Sequence, residues 1–346
     1  MNIIHARSPY SIVIDEPNQI ETKVKLKIWN EQSQGMSVTY TFSSKVVSNT
    51  NRKAIYNINN EIREFLNPII PNYTVDYSDE NFGNWCRIQV TTYSKILNGE
   101  FIELNALEFI GVDGYNAYQD GANYLIQDVP YYVMAEPFIF NMPIGATVMP
   151  YIDVLFDGGT YFISYENSAF DLQIANSGVQ MRRIPLTVGL DNNYYFTIQD
   201  EVGDTIYQRY INLICEAKYT PMLLSFIGKK GGWENIWCFK AKEDSLDSKN
   251  LDFNTNIGFQ NFNPNLGIKQ VFNKNGSRNI KVNTGFIEEE NNALIEQLFM
   301  SERIVLDSLP VILKSKNLTF KNHLKDRNIN YSFDFDYNFN IINDVV

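Results

Sequence analysis

Apolar residues recur at every second position along most of this chain, the period of strands that turn one face to a core. Val24, Leu26 and Ile28 alternate with Lys23, Lys25 and Lys27, and Val38, Tyr40 and Phe42 repeat the pattern. Tyr56 and Ile58 lead into a short helix over residues 60–66, where Ile58, Ile62, Phe65 and Leu66 share a face and Pro68 ends the run. Ile88 and Val90, then residues 101–110, predict strands around Asn98-Gly99, a favoured hairpin pair. Residues 111–123 (GVDGYNAYQDGAN) hold two Asp-Gly pairs without a period and predict a loop. Strands resume at 149–156, 160–165 and 170–174, with Asp157-Gly158-Gly159 as a tight connection, and two more follow Pro185.

The second half repeats this grammar. Residues 222–228, 232–240 and 277–283 read as strands, and the Asn-rich stretch 251–275 reads as a long loop. Glu288, Glu289 and Glu290 load the first turn of a helix near 288–300, where negative charge suits the helix dipole. Its Leu294, Ile295, Leu298 and Phe299 form an apolar stripe. From Ile329 to Ile341 the residues Tyr331, Phe333, Phe335, Tyr337 and Phe339 alternate with Asn, Ser and Asp. Thirteen such positions span about 44 Å at about 3.4 Å per residue, longer than a usual strand. Two readings fit: a bent or bulged strand crossing one sandwich, or one that extends into a larger sheet or a neighbouring subunit. The fold class expected is mainly β, two sandwich-like domains with one or two short helices. A soft boundary near 180–185 gives an N-terminal β-rich domain, 1–182, with an N-terminal arm, and a C-terminal one, 183–346.

Composition narrows the function. With 29 Lys and Arg against 40 Asp and Glu the net charge is −11, which argues against a grip on nucleic-acid phosphates. Two His and three Cys leave little for metal or nucleophile chemistry, whereas 21 Tyr, 23 Phe and 42 Asn favour strands and turns. The opening ten residues carry no charged start with an apolar run, so no secretory signal is expected, and no window approaches a membrane-spanning length. Cys86, Cys215 and Cys238 lack CxxC spacing and are expected to be small buried hydrophobes in a reducing cytoplasm.

Candidate chemistry is sparse. His5 and His323 have no second ligand at metal spacing, and no GxSxG occurs. Gly228-Lys229-Lys230-Gly231-Gly232 lacks the ending of a phosphate loop and reads as a hairpin turn. Asp113, Asn116 and Asp120 suggest calcium, but Tyr115 and Ala117 occupy two of the ligand positions. Trp233 and Trp237 suggest a sugar-stacking platform, yet they share strand parity with Phe239 and read better as a core face. No catalytic, cofactor-binding or metal-binding residue is nominated, and no cofactor is expected.

Several segments carry a resemblance. The opening ARSPY (Ala6 to Tyr10), TKVKLKIWN (Thr22 to Asn30) and DGYNAYQDGAN (Asp113 to Asn123) are joined by KYTPMLLSFIGKKGGWENIWCFK, NTGFIEEENNALIEQLFMSERIVL and LPVILKSKNLTFKNHLKDRNINYSFDFDYNF. In this order they resemble virion structural proteins of tailed phages infecting Bacteroidota, including crAss-like phages. The 251–275 stretch departs from that pattern. The resemblance implies a non-enzymatic subunit of the tail, in its ring, hub or baseplate layer, made in the host cytoplasm and incorporated in the virion. Expected partners are copies of itself in a ring and other tail or portal-proximal proteins, with neither membrane nor sequence-specific nucleic acid. The expected contacts are Tyr331, Phe333, Phe335, Tyr337 and Phe339, with Ile4, Arg7, Pro9 and Tyr10 of the N-terminal arm as a clasp. A carbohydrate-binding host-recognition module and a glycan-degrading enzyme stand as alternatives.

Overall fold

A computed structural model describes residues 1–30, 37–46, 53–70, 83–146, 148, 150–165, 168–174, 178–186, 192–215, 218–255, 265, 268–319 and 329–341. The protein is mainly β, 56% strand against 8% helix, with several sheets and two α-helices among the described residues. The chain forms two compact units, Met1–Ile214 with Phe226–Asn235, and Cys215–Ser225 with Ile236–Val346. The soft boundary expected at 182/183 falls inside the first unit, because Phe162, Ile163 and Ser164 pair with Gln199, Ile198 and Thr197 across it.

In the first unit a five-stranded sheet runs in the order Ile3–His5, Ile102–Val112, Trp85–Ile96, Gln19–Trp29, Val38–Lys45. Ile3–His5 pairs in parallel with Ile110 to Val112, and the other neighbours are antiparallel. Val24, Leu26 and Ile28 turn inward as the lysine alternation requires, together with Ile88 and Val90. Over them lie the paired strands Ser11–Ile14 and Ala54–Asn57 and the helix Asn59–Phe65, whose Ile62 is fully buried. Gly111 fits beneath that helix because a Cβ there would lie 2.7 Å from Ile62 Cγ2. Ile3, Trp85, Ile110 and Val112 instead belong to a core with Tyr132, Met134, Leu155 and Met181, from the sheet of Tyr131–Val133, Tyr151–Phe156 and Gln180–Pro185. A further sheet orders Ser168–Ile174, Gly159–Tyr165, Tyr194–Gln199, Thr205–Ile214 and Phe140–Pro143.

The second unit is built on a sheet whose strands neighbour one another in the order Ile304–Leu306, Leu309–Leu313, Ser332–Ile341, Lys269–Asn283, Glu243–Asn254. Ser332–Ile341 is thus interior to a large sheet, between Leu309–Leu313 and Lys269–Asn283, with a register shift opposite Ser277 and Asn279. The helix Asn292–Met300 buries Leu294, Ile295 and Leu298, and its Phe299 meets Phe333 edge to face at 6.2 Å. Much of the expected 251–275 loop is strand: Leu251 to Asn254 pair with Phe272 to Lys269, while residues 256–264 lie outside the described residues. That segment hid its period because Glu243–Asn254 is exposed along its whole length and so has no apolar face to alternate.

Candidate functional site

Three of the resemblance-bearing segments meet in the first unit. Beyond Ile3–His5 the chain continues as the arm, whose Ala6 N–H donates to Val112 O at 2.9 Å and whose Arg7 N–H donates to Gly114 O at 3.0 Å. The loop then joins the hairpin tip, Tyr115 N–H donating to Lys229 O at 2.9 Å. Arg7 binds both, through Nη2 to Gly228 O at 3.2 Å and Nε to Asp113 Oδ1 at 3.6 Å, with its guanidinium over the Tyr115 ring. Asn116 N–H donates to Ser8 Oγ at 2.7 Å.

The glycines make this approach possible. Gly231 has φ +85°, and a Cβ on Gly232 would fall 2.4 Å from Met134 O, a backbone atom that cannot swing aside. A Cβ on Gly114 would sit 2.6 Å from Lys229 O. The hairpin turn expected at 228–232 is therefore also a docking plug, backbone against backbone.

Beneath it lies a polar chain. His5 Nε2 and Tyr132 Oη are 2.7 Å apart, and the Tyr132 hydroxyl also donates to Lys230 O at 3.3 Å. Burial pushes the His5 imidazole down to about 4, so it is neutral at pH 7. Burial also raises the Tyr132 hydroxyl, which stays protonated. Lys230 Nζ pairs with Glu136 Oε2 at 3.3 Å, and Glu136 N–H donates to Glu234 Oε1 at 2.6 Å. The other Glu234 oxygen faces Arg209 Nη2 at 3.5 Å, both side chains being at most 2% exposed. Burial raises the Glu234 carboxyl, and Arg209 opposes that shift. Each of these charges faces an opposite charge or a backbone group, an arrangement that fixes loops in place.

The sequence-nominated residues divide by burial. Ile4 is fully buried, and Tyr331, Phe333 and Phe335 are at most 6% exposed. They therefore serve this chain's own cores, which corrects their expected role as contacts between subunits. The same holds for the arm: Arg7 is tied to Asp113 and Gly228, and Tyr10 packs edge to face on Phe109 at 5.7 Å. Pro9 and Phe339 are exposed and Tyr337 is half-buried. Phase along a strand identifies one face, but in both segments that face is the one covered from within.

Other nominations resolve similarly. Asp113 pairs with Arg7, and Asp120 Oδ2 accepts from Ala117 N–H at 2.8 Å, so neither carboxylate is arranged around a shared cation position. Among the described residues no group of three or more His, Cys, Asp or Glu is placed to hold a metal ion. His323 lies outside them. Trp233 and Trp237 are buried, which removes the stacking platform. Cys86 and Cys238 are buried as expected, with burial raising the Cys238 thiol to about 12, whereas Cys215 is exposed. No described helix is long and apolar enough to cross a membrane.

Two exposed apolar groups went unread in the sequence. Ile102, Leu104 and Leu107 lie along one strand, and Leu251, Phe253, Val271 and Phe272 along the outer hairpin. Their only signal is apolar residues spaced irregularly among Glu, Asp, Lys and Asn, the pattern of strands open on both faces. No family model matches the chain, and no curated protein matches it.

Proposed function

We propose that this protein is a non-enzymatic structural subunit that assembles with copies of itself, in the ring, hub or baseplate layer of a bacteriophage tail. One observation carries the structural reading: both exposed apolar groups fall on strands with an edge that has no strand partner among the described residues. Ile102 is 57% exposed, Leu251 55% and Phe272 52%. Such edges invite another chain. The buried polar chain around Arg7, His5 and Glu234 supports the same reading, because it spends its charges on holding loops rigid. The tail location rests on the resemblance of the six quoted segments. Mass measurement tests both parts: the protein should form a defined oligomer alone and occur as a fixed multiple in purified virions. A stable monomer missing from virions overturns the proposal. Incubation with host capsular polysaccharide should release no sugar, and release would favour the glycan-degrading alternative.

A further inference from the structure

The two apolar edges carry opposite charge. In the first unit Ile3–His5 pairs with Ile102–Val112 only at Ile110 to Val112. The outer edge from Ile102 to Phe109 therefore has no strand partner among the described residues. Ile102, Leu104 and Leu107 are exposed along it, and Glu103 and Glu108 make it acidic. Lys95, on the neighbouring strand, pairs with Glu21 at 3.7 Å. In the second unit, among the described residues, Ser332–Ile341 pairs with Lys269–Asn283 from Gly276 onward. Residues 249–254 and 269–275 pair with each other there as a two-stranded ribbon, with no third strand among the described residues. A ribbon of this kind is marginal in water by itself, and Leu251, Phe253 and Phe272 are each about half exposed on it. Its charges are Lys249, Lys269 and Lys274 against a single Asp252.

We propose that the ribbon of one copy adds as a strand to the Ile102–Phe109 edge of a second copy, a contact that rests on the structural-subunit reading and deepens it. Ribbon against ribbon would set lysines against lysines, and edge against edge would set Glu103 and Glu108 against their own copies, so self-pairing of either surface is repelled. Ribbon against edge brings Lys to Glu while the apolar side chains cover one another. Because the two surfaces differ, the contact is head to tail and propagates into a closed ring or an open filament.

Sedimentation of the full chain tests this. K249E/K269E/K274E reverses the ribbon and E103K/E108K reverses the edge. Each variant alone should assemble at least about tenfold more weakly than the native chain. Mixed in equal amounts they should assemble again, since reversed ribbon then meets reversed edge, and this recovery also shows that both are folded. Oxidation of an L104C/L251C chain carrying C215S should give covalent ladders. If the native chain assembles and both variants keep its mass, or the mixture stays apart, the contact is wrong while the structural-subunit reading stands. A native chain that is monomeric at every concentration overturns both.

Discussion

Arg183 holds Asp153 through two hydrogen bonds, Nε to Oδ1 at 2.7 Å and Nη2 to Oδ2 at 3.0 Å, with both side chains buried. Asn84 Nδ2 donates to the same Oδ2 at 3.2 Å. Removing the cation alone leaves a buried carboxylate with one neutral donor, so Arg183→Met should cost about 3–5 kcal/mol. Adding Asp153→Leu removes the stranded charge and should recover most of that loss. Urea unfolding of the single and double variants measures both; equal losses would show that the charge pairing contributes little.

His5 gives the fold a pH dependence of known sign. Its folded pKa is lowered to about 4, chiefly by burial, with Lys229 and Arg7 adding in the same direction against the hydrogen-bond acceptors that Asn116 and the Tyr115 backbone offer the ring. The unfolded chain takes up a proton near pH 6.5 that the folded chain refuses until about 4. The stability due to neutral His5 is full above pH 6.5 and falls through that window, by about 3 kcal/mol in all. His5→Asn should flatten the slope between pH 5 and 6.5 in urea midpoints. A slope that survives the substitution assigns the effect to other groups.

Gly232 and Gly121 separate collision from conformation. A Cβ on Gly232 meets Met134 O, whereas Gly121, at φ +78°, has nothing within 4 Å of that position. Gly232→Ala should cost about 2 kcal/mol or more, and Gly121→Ala about 1 kcal/mol for its backbone alone. Thermal unfolding ranks the two, and the reverse ranking would mean that the plug around 228–232 yields easily.

Phe335 and Phe339 share a strand face by phase but not by cover, being 0% and 46% exposed. Phe335→Ala should destabilise by about 3–5 kcal/mol and Phe339→Ala by no more than about 0.5 kcal/mol. Matching losses, read from denaturant midpoints, would place Phe339 in the core as well.

These contrasts show what a pattern of apolar positions contains. Val24 to Ile28 and Tyr331 to Phe335 declared strands and their inward faces because burial on one side imposes a period of two. They did not declare whether the cover comes from this chain or another, and here it comes from this chain. The Glu243–Asn254 strand was illegible for the opposite reason: with both faces open, nothing selects a period. The plug at Gly228 to Gly232 looked like an ordinary turn, since the need for glycine arises from Met134 and Asp113, more than 90 residues earlier. The Arg209–Glu234 pair was equally hidden, its members being one base and one acid among many until the fold brings them together.

The return of Phe226–Asn235 to the first unit bears on how the chain is made. As the polypeptide leaves the ribosome, Arg7, Asp113 and Met134 have all emerged well before the tip that fits against them. The first unit cannot reach its final form until residue 235 is free of the exit tunnel, after Cys215–Ser225 of the second has already been synthesised. Its early strands must wait, with part of their apolar surface open, for a plug supplied late. Chains truncated between residues 214 and 226 should therefore be held by chaperones or lost to protease, which ties the completion of one unit to the progress of synthesis into the other.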